Sequence, residues 1–287
     1  MRELRLPLIV SVLMILVLAA YSIFVSGWGK DTVLKVTFLD VGQGDATFIE
    51  SPSGMQVLID GGKGKMVLSA LSHEMGFFDR DIDIVLATHP DQDHIGGLVA
   101  VLDRYRVHTI LMTENRSETP AYYAFKEAAD HEGAQIIFVR RGQVYDLGVG
   151  QSGSTTLTIL FPDLDPVALE SNVSSIVSRL TYGANEYVFT GDSPQSIEEY
   201  LVSLFGTQLQ SDVLKLGHHG SRTSSSEIFL STVAPTYAII SAGKDNSYGH
   251  PHKEVIDLLN IHHIPYKNTA DEGSIHSVSD GQRIVFR

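Results

Sequence analysis

The chain lacks cysteine altogether, is short of cations and carries one long uncharged apolar run. With no cysteine it can form no disulfide, use no thiol nucleophile and build no cysteine-ligated zinc site. Lys and Arg number 21 against 34 Asp and Glu, a net charge of -13. A surface of that sign does not gather nucleic acid by long-range attraction, so a polynucleotide would have to be held by bound metal and a few local cations. No internal repeat, long linker or low-complexity segment follows residue 30. At 43% hydrophobic and 19% charged residues, the bulk of the 287-residue chain has an ordinary globular make-up, with ample length for a sizeable core.

The apolar run covers residues 6–25. Arg2 and Arg5 precede it and only Lys30 follows closely. About twenty such residues just span a bilayer, and the basic flank places the N-terminus in the cytoplasm and the rest outside. A cleaved signal peptide and an uncleaved anchor both fit. The anchor is favoured because the run exceeds a usual signal core and Leu18-Ala19-Ala20 is followed by further apolar residues. The expected organisation is an anchor and short linker over residues 1–29, closed by Gly27-Trp28-Gly29, and one globular domain over residues 30–287. That makes a single-pass cell-membrane protein with its domain outside the cytoplasm, or a secreted one after cleavage.

Beyond the linker, hydrophobic periodicity predicts strands at 34–40, 46–50, 56–60, 83–88, 107–112, 135–139, 156–161, 175–182, 186–190, 212–216, 237–241, 264–267, 274–278 and 283–286. Helical patterns fall at 66–75, 97–105, 120–131, 194–205, 226–232 and 252–260. Ser51-Pro52-Ser53-Gly54 is a hairpin turn. Between a buried strand and a helix stands Thr88-His89-Pro90-Asp91-Gln92-Asp93-His94-Ile95-Gly96-Gly97. Two imidazoles and two carboxylates within six residues, on a turn between rigid elements, can converge on one divalent metal.

In their order and spacing, these motifs resemble the metallo-beta-lactamase-fold hydrolases, and within them the C-terminal hydrolase domain of the ComEC/Rec2 DNA-uptake proteins. The resemblance covers roughly residues 33–287. It rests on Leu39-Asp40-Val41-Gly42-Gln43-Gly44-Asp45-Ala46, Leu58-Ile59-Asp60-Gly61-Gly62, the His89–His94 cluster, Phe189-Thr190-Gly191-Asp192, Leu214-Lys215-Leu216-Gly217-His218-His219-Gly220-Ser221 and Tyr248-Gly249-His250-Pro251-His252. It implies an α+β, four-layer αββα metallo-beta-lactamase sandwich, here preceded by one N-terminal transmembrane helix. In the ComEC/Rec2 family the channel is a multi-helix membrane domain, so the expectation is a stand-alone hydrolase, with a separate DNA-channel protein as a possible partner.

On that frame His89 and Asp91, two apart, face one metal, while Asp93 and His94 suit a second. Asp192, at a strand end, is placed to bridge two ions. His218 or His219 completes the second site; adjacent residues leaving a strand point to opposite sides, so one of the pair is expected as a ligand. Asp60 and Asp45 are expected to organise the metal loops from behind. No histidine lies between His131 and His218, where the wider superfamily has a further ligand; Ser171-Asn172-Val173 stands there, with Asn172 as an outer residue. The first site is then oxygen-rich, which leans towards manganese or magnesium over zinc for the two divalent ions.

The expected activity is metal-dependent phosphodiester hydrolysis, with extracellular DNA as substrate. Asp93 orients the attacking water and accepts its proton, and Lys215, Ser221, Arg222 and His250 hold phosphate, although strand alternation predicts that Lys215 faces solvent. A patch of Arg104, Arg106, Arg140, Arg141, Lys215 and Arg222 would offset the acidic surface if the fold gathers it. The alternatives are hydrolysis of another ester or amide (a phosphorylcholine ester, a lactone, a beta-lactam) and a non-catalytic binding module.

Overall fold

A computed structural model describes residues 10–18, 33–163 and 165–287. Residues 10–18 form an exposed apolar helix, α1. The rest of the 6–25 run and the linker Gly27-Trp28-Gly29 lie outside the described residues. Among the described residues no helix is long and apolar enough to cross a membrane.

The strands run β1 (Leu34–Phe38), β2 (Thr47–Glu50), β3 (Gln56–Ile59), β4 (Asp81–Ala87), β5 (Arg106–Met112) and β6 (Gln135–Phe138). Next come β7 (Val144–Gly150), β8 (Gly153–Phe161), β9 (Val177–Tyr182), β10 (Asn185–Phe189), β11 (Val213–Lys215), β12 (Tyr237–Ile240) and β13 (Tyr266–Asn268). The chain then returns through β14 (Ile275–Ser279) and β15 (Ile284–Phe286). They build an eight-stranded sheet, in the order β15-β14-β1-β2-β3-β4-β5-β6, and a seven-stranded sheet, in the order β13-β12-β11-β10-β9-β8-β7. Each sheet is antiparallel on one side and parallel on the other. β3 to β6 run parallel in the first, as do β10 to β13 in the second. β1 pairs with β14, Leu34 opposite Ser279, so the start and end of the domain lie side by side.

Parallel strands need crossover helices, and these supply the outer layers. Helices α2 (Met66–Glu74), α3 (Gln92–Leu102) and α4 (Pro120–Glu132) cover the first sheet through Val67, Leu71, Ile95, Leu98, Val101 and Phe125. Helices α5 (Gln195–Phe205), α6 (Glu227–Val233) and α7 (Lys253–Ile261) cover the second through Leu201, Leu230 and Leu259. The two sheets meet over Val36, Phe38, Ile84, Leu86, Leu180, Tyr187 and Phe189, all fully or nearly fully buried. The architecture is therefore four-layered. It is a mixed α/β arrangement in which helices link parallel strands, where the sequence reading placed it in the α+β class. A last single turn, α8 (Thr269–Glu272), leads into β14.

The predicted element boundaries differ from the structure at two informative places. Helix α3 begins at Gln92, not at Gly97, so Asp93 and His94 lie in its first turn, with Asp91 as its extended N-cap. Gly97 opens the predicted helix and Gly96 precedes it, yet both lie well inside α3, where glycine is needed because the chain at residues 61–64 crosses directly over them. A Cβ on Gly97 would overlap the Gly61 carbonyl oxygen, and one on Gly96 that of Lys63. Gly61 N donates to His94 O at 2.7 Å and Gly97 N to Gly62 O at 2.8 Å, which locks loop to helix. Strand β7 was missed in sequence because Asp146, Gly148 and Gly150 interrupt its pattern. It is an edge strand with a bulge between Asp146 and Val149.

Glu198 on α5 is buried and accepts from Ser225 N (2.6 Å) and Ser226 N (2.7 Å) at the start of α6. Burial outweighs those bonds and pushes its pKa up to about 7. Between its usual value and about 7 the folded chain holds a proton that the unfolded chain releases, so stability falls as pH rises through that window, by up to about 3 kcal/mol. Glu198→Gln is expected to flatten this slope in urea denaturation run from pH 4.5 to 8. Gly97→Ala is expected to cost about 3 kcal/mol in the same measurement. Gly64→Ala, where a Cβ meets nothing within 4 Å, should stay within about 0.5 kcal/mol.

Candidate metal centre

At the carboxyl ends of the parallel strands, loops from both sheets meet. Asp60, one residue beyond β3, takes a left-handed backbone (φ 57°) that turns its carboxylate under the next loop. Its Oδ1 accepts from Thr88 N at 2.8 Å, and its Oδ2 from Thr88 Oγ1 at 2.7 Å and His94 Nδ1 at 2.8 Å. His89 Nδ1 lies 3.0 Å from Thr88 Oγ1. From the other sheet, His219 Nδ1 is shared between Ser241 O (2.9 Å) and Asp45 Oδ1 (3.1 Å), and His218 Nδ1 lies 3.0 Å from Thr223 Oγ1.

All four rings are thus held at Nδ1 and present Nε2 to one place, and at that place stands Asp192. Its Oδ2 lies 3.9 Å from His89 Nε2, 3.7 Å from His218 Nε2 and 3.8 Å from His219 Nε2, and its Oδ1 lies 3.2 Å from His94 Nε2. Asp91 Oδ2 approaches His89 Nε2 to 3.7 Å, and Asp93 Oδ2 approaches His219 Nε2 to 3.3 Å. His89 Nε2, His94 Nε2, His219 Nε2 and Asp192 Oδ1 are buried with no hydrogen-bond partner. Leaving such atoms unpaired is costly, so this donor set fits divalent cations. His89, His94 and Asp192 form one group able to hold an ion, and Asp93, His94 and His219 form a second. Anchoring Nδ1 so that Nε2 is offered is how proteins orient imidazole ligands.

The electrostatics agree. Burial opposes charge at Asp192, but His94 and His219 beside it hold its carboxyl well below the usual range. Asp93 is likewise held at about 2, with His219 and His94 overcoming burial. Burial works against the charged form of His219, yet Asp192 and Asp45 lift its pKa to about 9. Burial, followed by His219 and His218, lowers that of His250 to about 4.

Several sequence expectations need correction. His218 and His219 do not point to opposite sides. They lie in a tight turn, Gly217–Gly220, both left-handed (φ 49° and 56°), and both reach Asp192; His219 is buried and His218 is at the rim. Lys215 does not face solvent: it is 3% exposed, forms a buried ion pair with Asp45 and donates to Leu216 O at 3.0 Å. It is therefore a support beneath the centre. Both faces of a central parallel strand are buried, so alternation gives no exposed side there. Asn172 makes only the short turn Asn172–Ser174; its neighbour Ser171 instead donates to Asp91 Oδ1 at 2.5 Å. Ser221 is buried and its Oγ accepts from Thr223 N at 3.3 Å, while Arg222 is exposed and pairs with Glu254 at 3.1 Å.

The hoped-for basic patch does not form. Arg104 and Arg106 lie at the amino end of β5, opposite the centre, Arg140 pairs with Glu114, and Arg141 with Asp163 at 3.2 Å. Thr88, Ser241 and Asn246 were missed as site residues. Thr88 stood inside the quoted motif, whereas the other two contribute through contacts that only the fold creates.

Comparison with known proteins follows the same lines. A model described as "Metallo-beta-lactamase superfamily" matches residues 39–244. The chain is 33% identical over 260 residues to ComE operon protein 3 of Bacillus subtilis (strain 168), covering 84% of this chain and 32% of that protein. It is 30% identical over 245 residues to Recombination protein 2 of Haemophilus influenzae, covering 84% and 28%. It thus spans about a third of the length of these relatives. Among solved structures, Igni18, a metallo hydrolase from Ignicoccus hospitalis KIN4/I, superposes with a TM-score of 0.56 at 12% identity, covering 85% of this chain and 98% of that one, a likeness of fold.

His94→Ala is expected to weaken divalent-metal binding at least a hundredfold. Asp60→Ala, acting through the His94 ring, should weaken it about ten- to a hundredfold. Competition against a chromogenic chelator reads both. Lys215→Met, which leaves Asp45 buried without its cation, should cost about 3 kcal/mol in urea denaturation.

Proposed function

Because the chain belongs to the metallo-beta-lactamase superfamily, whose members are usually metal-dependent hydrolases, we propose that it is a phosphodiesterase acting on extracellular DNA. The observation that carries the metal-dependent part is the ring of Nε2 atoms around Asp192, buried and unsatisfied from three of its four histidines. The nucleic-acid part is supported by the ComEC-family relatives.

Divalent ions held at such a centre lower the pKa of water and neutralise charge developing on phosphate oxygens. The chain's own residues supply the rest. Asp93 is ionised, exposed enough to meet solvent and set at the mouth of the buried group, so its Oδ atoms can orient the attacking water. His250 stays neutral at pH 7, so the N–H of its ring can donate a hydrogen bond to a non-bridging oxygen but cannot bind it by charge. Arg222, at the rim, is the cation of the four phosphate-holding residues that remains exposed. Asp45 and Lys215 keep the His219 ring in place from below.

The same reading takes the 6–25 run as a single-pass anchor. It puts residues 30–287 outside the cytoplasm and makes a separate DNA-channel protein the partner. Hydrolysis of another ester or of an amide is the second reading, and it shares this centre.

The test is hydrolysis by the solubilised chain, with manganese, magnesium or zinc, of labelled single- and double-stranded DNA, bis-p-nitrophenyl phosphate and nitrocefin. Metal-dependent cleavage of DNA and of the small phosphodiester is expected, with Asp93→Ala lowering kcat by about 10²–10⁴. Turnover of nitrocefin alone would replace the phosphodiesterase with an amide hydrolase.

A further inference from the structure

Beside Asp93 a cavity of about 240 Å³ opens to solvent, its walls including Gln43, Lys63, Gln92, Asn246 and Tyr248. One wall is unlike the others. Tyr248 is 63% exposed, yet its segment is pinned. The Asn246 side chain accepts from Tyr248 N (3.2 Å) and His250 N (3.0 Å) and donates to Gly243 O (2.9 Å) and His250 O (2.6 Å). Gly243 N in turn donates to Gln43 Oε1 at 3.1 Å, tying the segment to the Asp45 loop. The phenol ring lies nearly parallel to His250, at 20° and 5.7 Å between centroids, and His250 is 5.3 Å from the His218 ring. An aromatic ring is therefore exposed and separated from the His218 ring by His250, on a backbone that has already lost its freedom.

Resting on the phosphodiesterase reading, we propose that Tyr248 is a stacking platform for an unpaired base next to the scissile phosphate, with Lys63 across the cavity available to a neighbouring phosphate. The charge distribution favours a contact of this kind. With a net charge of -13 and its arginines scattered, the surface offers little long-range attraction, so contacts that do not depend on charge add to what bound metal and a few local cations supply. Base–aromatic stacking is such a contact, and it tolerates any sequence. It is open only to a base not already stacked in a duplex, so the substrate class is single-stranded or frayed-end nucleic acid.

The full chain and its Tyr248→Ala and Tyr248→Phe variants would be compared on a single-stranded oligonucleotide, the same oligonucleotide with abasic sites flanking the cleaved bond, and bis-p-nitrophenyl phosphate. Tyr248→Ala is expected to raise KM about ten- to a hundredfold for the first. It should leave the other two within about twofold, and Tyr248→Phe should restore the first. A parallel titration with a 2-aminopurine oligonucleotide needs no turnover. Quenching by the parent chain, lost in Tyr248→Ala and kept in Tyr248→Phe, supports the platform even if no phosphodiester is cleaved. Absent quenching, or equal losses on all three substrates, overturns it. Cleavage of the small diester with no effect of Tyr248→Ala keeps the phosphodiesterase and removes the platform.

Discussion

The centre depends on one buried ion pair, Asp45 with Lys215, which joins a loop of the first sheet to a central strand of the second. Taking two charges out of water is expensive and is tolerated only when their remaining bonds are satisfied. Here they are: Lys215 also donates to Leu216 O, and Asp45 accepts a hydrogen bond from His219 Nδ1 while its amide donates to Asp93 O at 3.1 Å. One contact thus fixes the approach of the sheets, the aim of His219 and the position of the first turn of α3. Asp60 does the matching work on the other side, holding Thr88 and His94 together.

Most elements could be read from the sequence because their signals are local. β4 is a short run of Ile, Val and Leu, and α4 opens on Thr119-Pro120, an N-cap followed by proline at the first helical position. The metal cluster was legible for the same reason, with its side chains crowded into a few residues. What could not be read depends on partners far away in the chain. The burial of Lys215 reflects strands on both sides of it. The paired reach of His218 and His219 reflects two left-handed residues, a conformation that histidine seldom adopts and that no pattern announces. The need for glycine at 96 and 97, inside α3, reflects the loop lying on them. Strand-based alternation, a two-residue rule, fails at Lys215 and at His218 and His219 because burial and backbone conformation there are set in three dimensions.

The acidic surface and the buried centre fit one picture of recognition. Exposed arginines are spent on local pairs with Glu114, Asp163 and Glu254, so long-range steering is weak. Discrimination is then left to the few groups at the mouth: the Asp93 carboxylate, the neutral His250 imidazole and the pinned segment around Asn246.

The pairing of β1 with β14 carries a consequence for the order of assembly. Leu34 meets Ser279, and Asp45 waits for Lys215, so the contacts that complete the centre join chain segments far apart in sequence. Such non-local contacts form late, after the loop-closure entropy between them has been overcome. A chain still emerging from the ribosome can fold its α3 turn and present Asp91, Asp93 and His94 early, but it has no Asp192, His219 or Lys215 to close the site. The group of side chains around Asp192 is therefore complete only when almost the whole domain has been delivered.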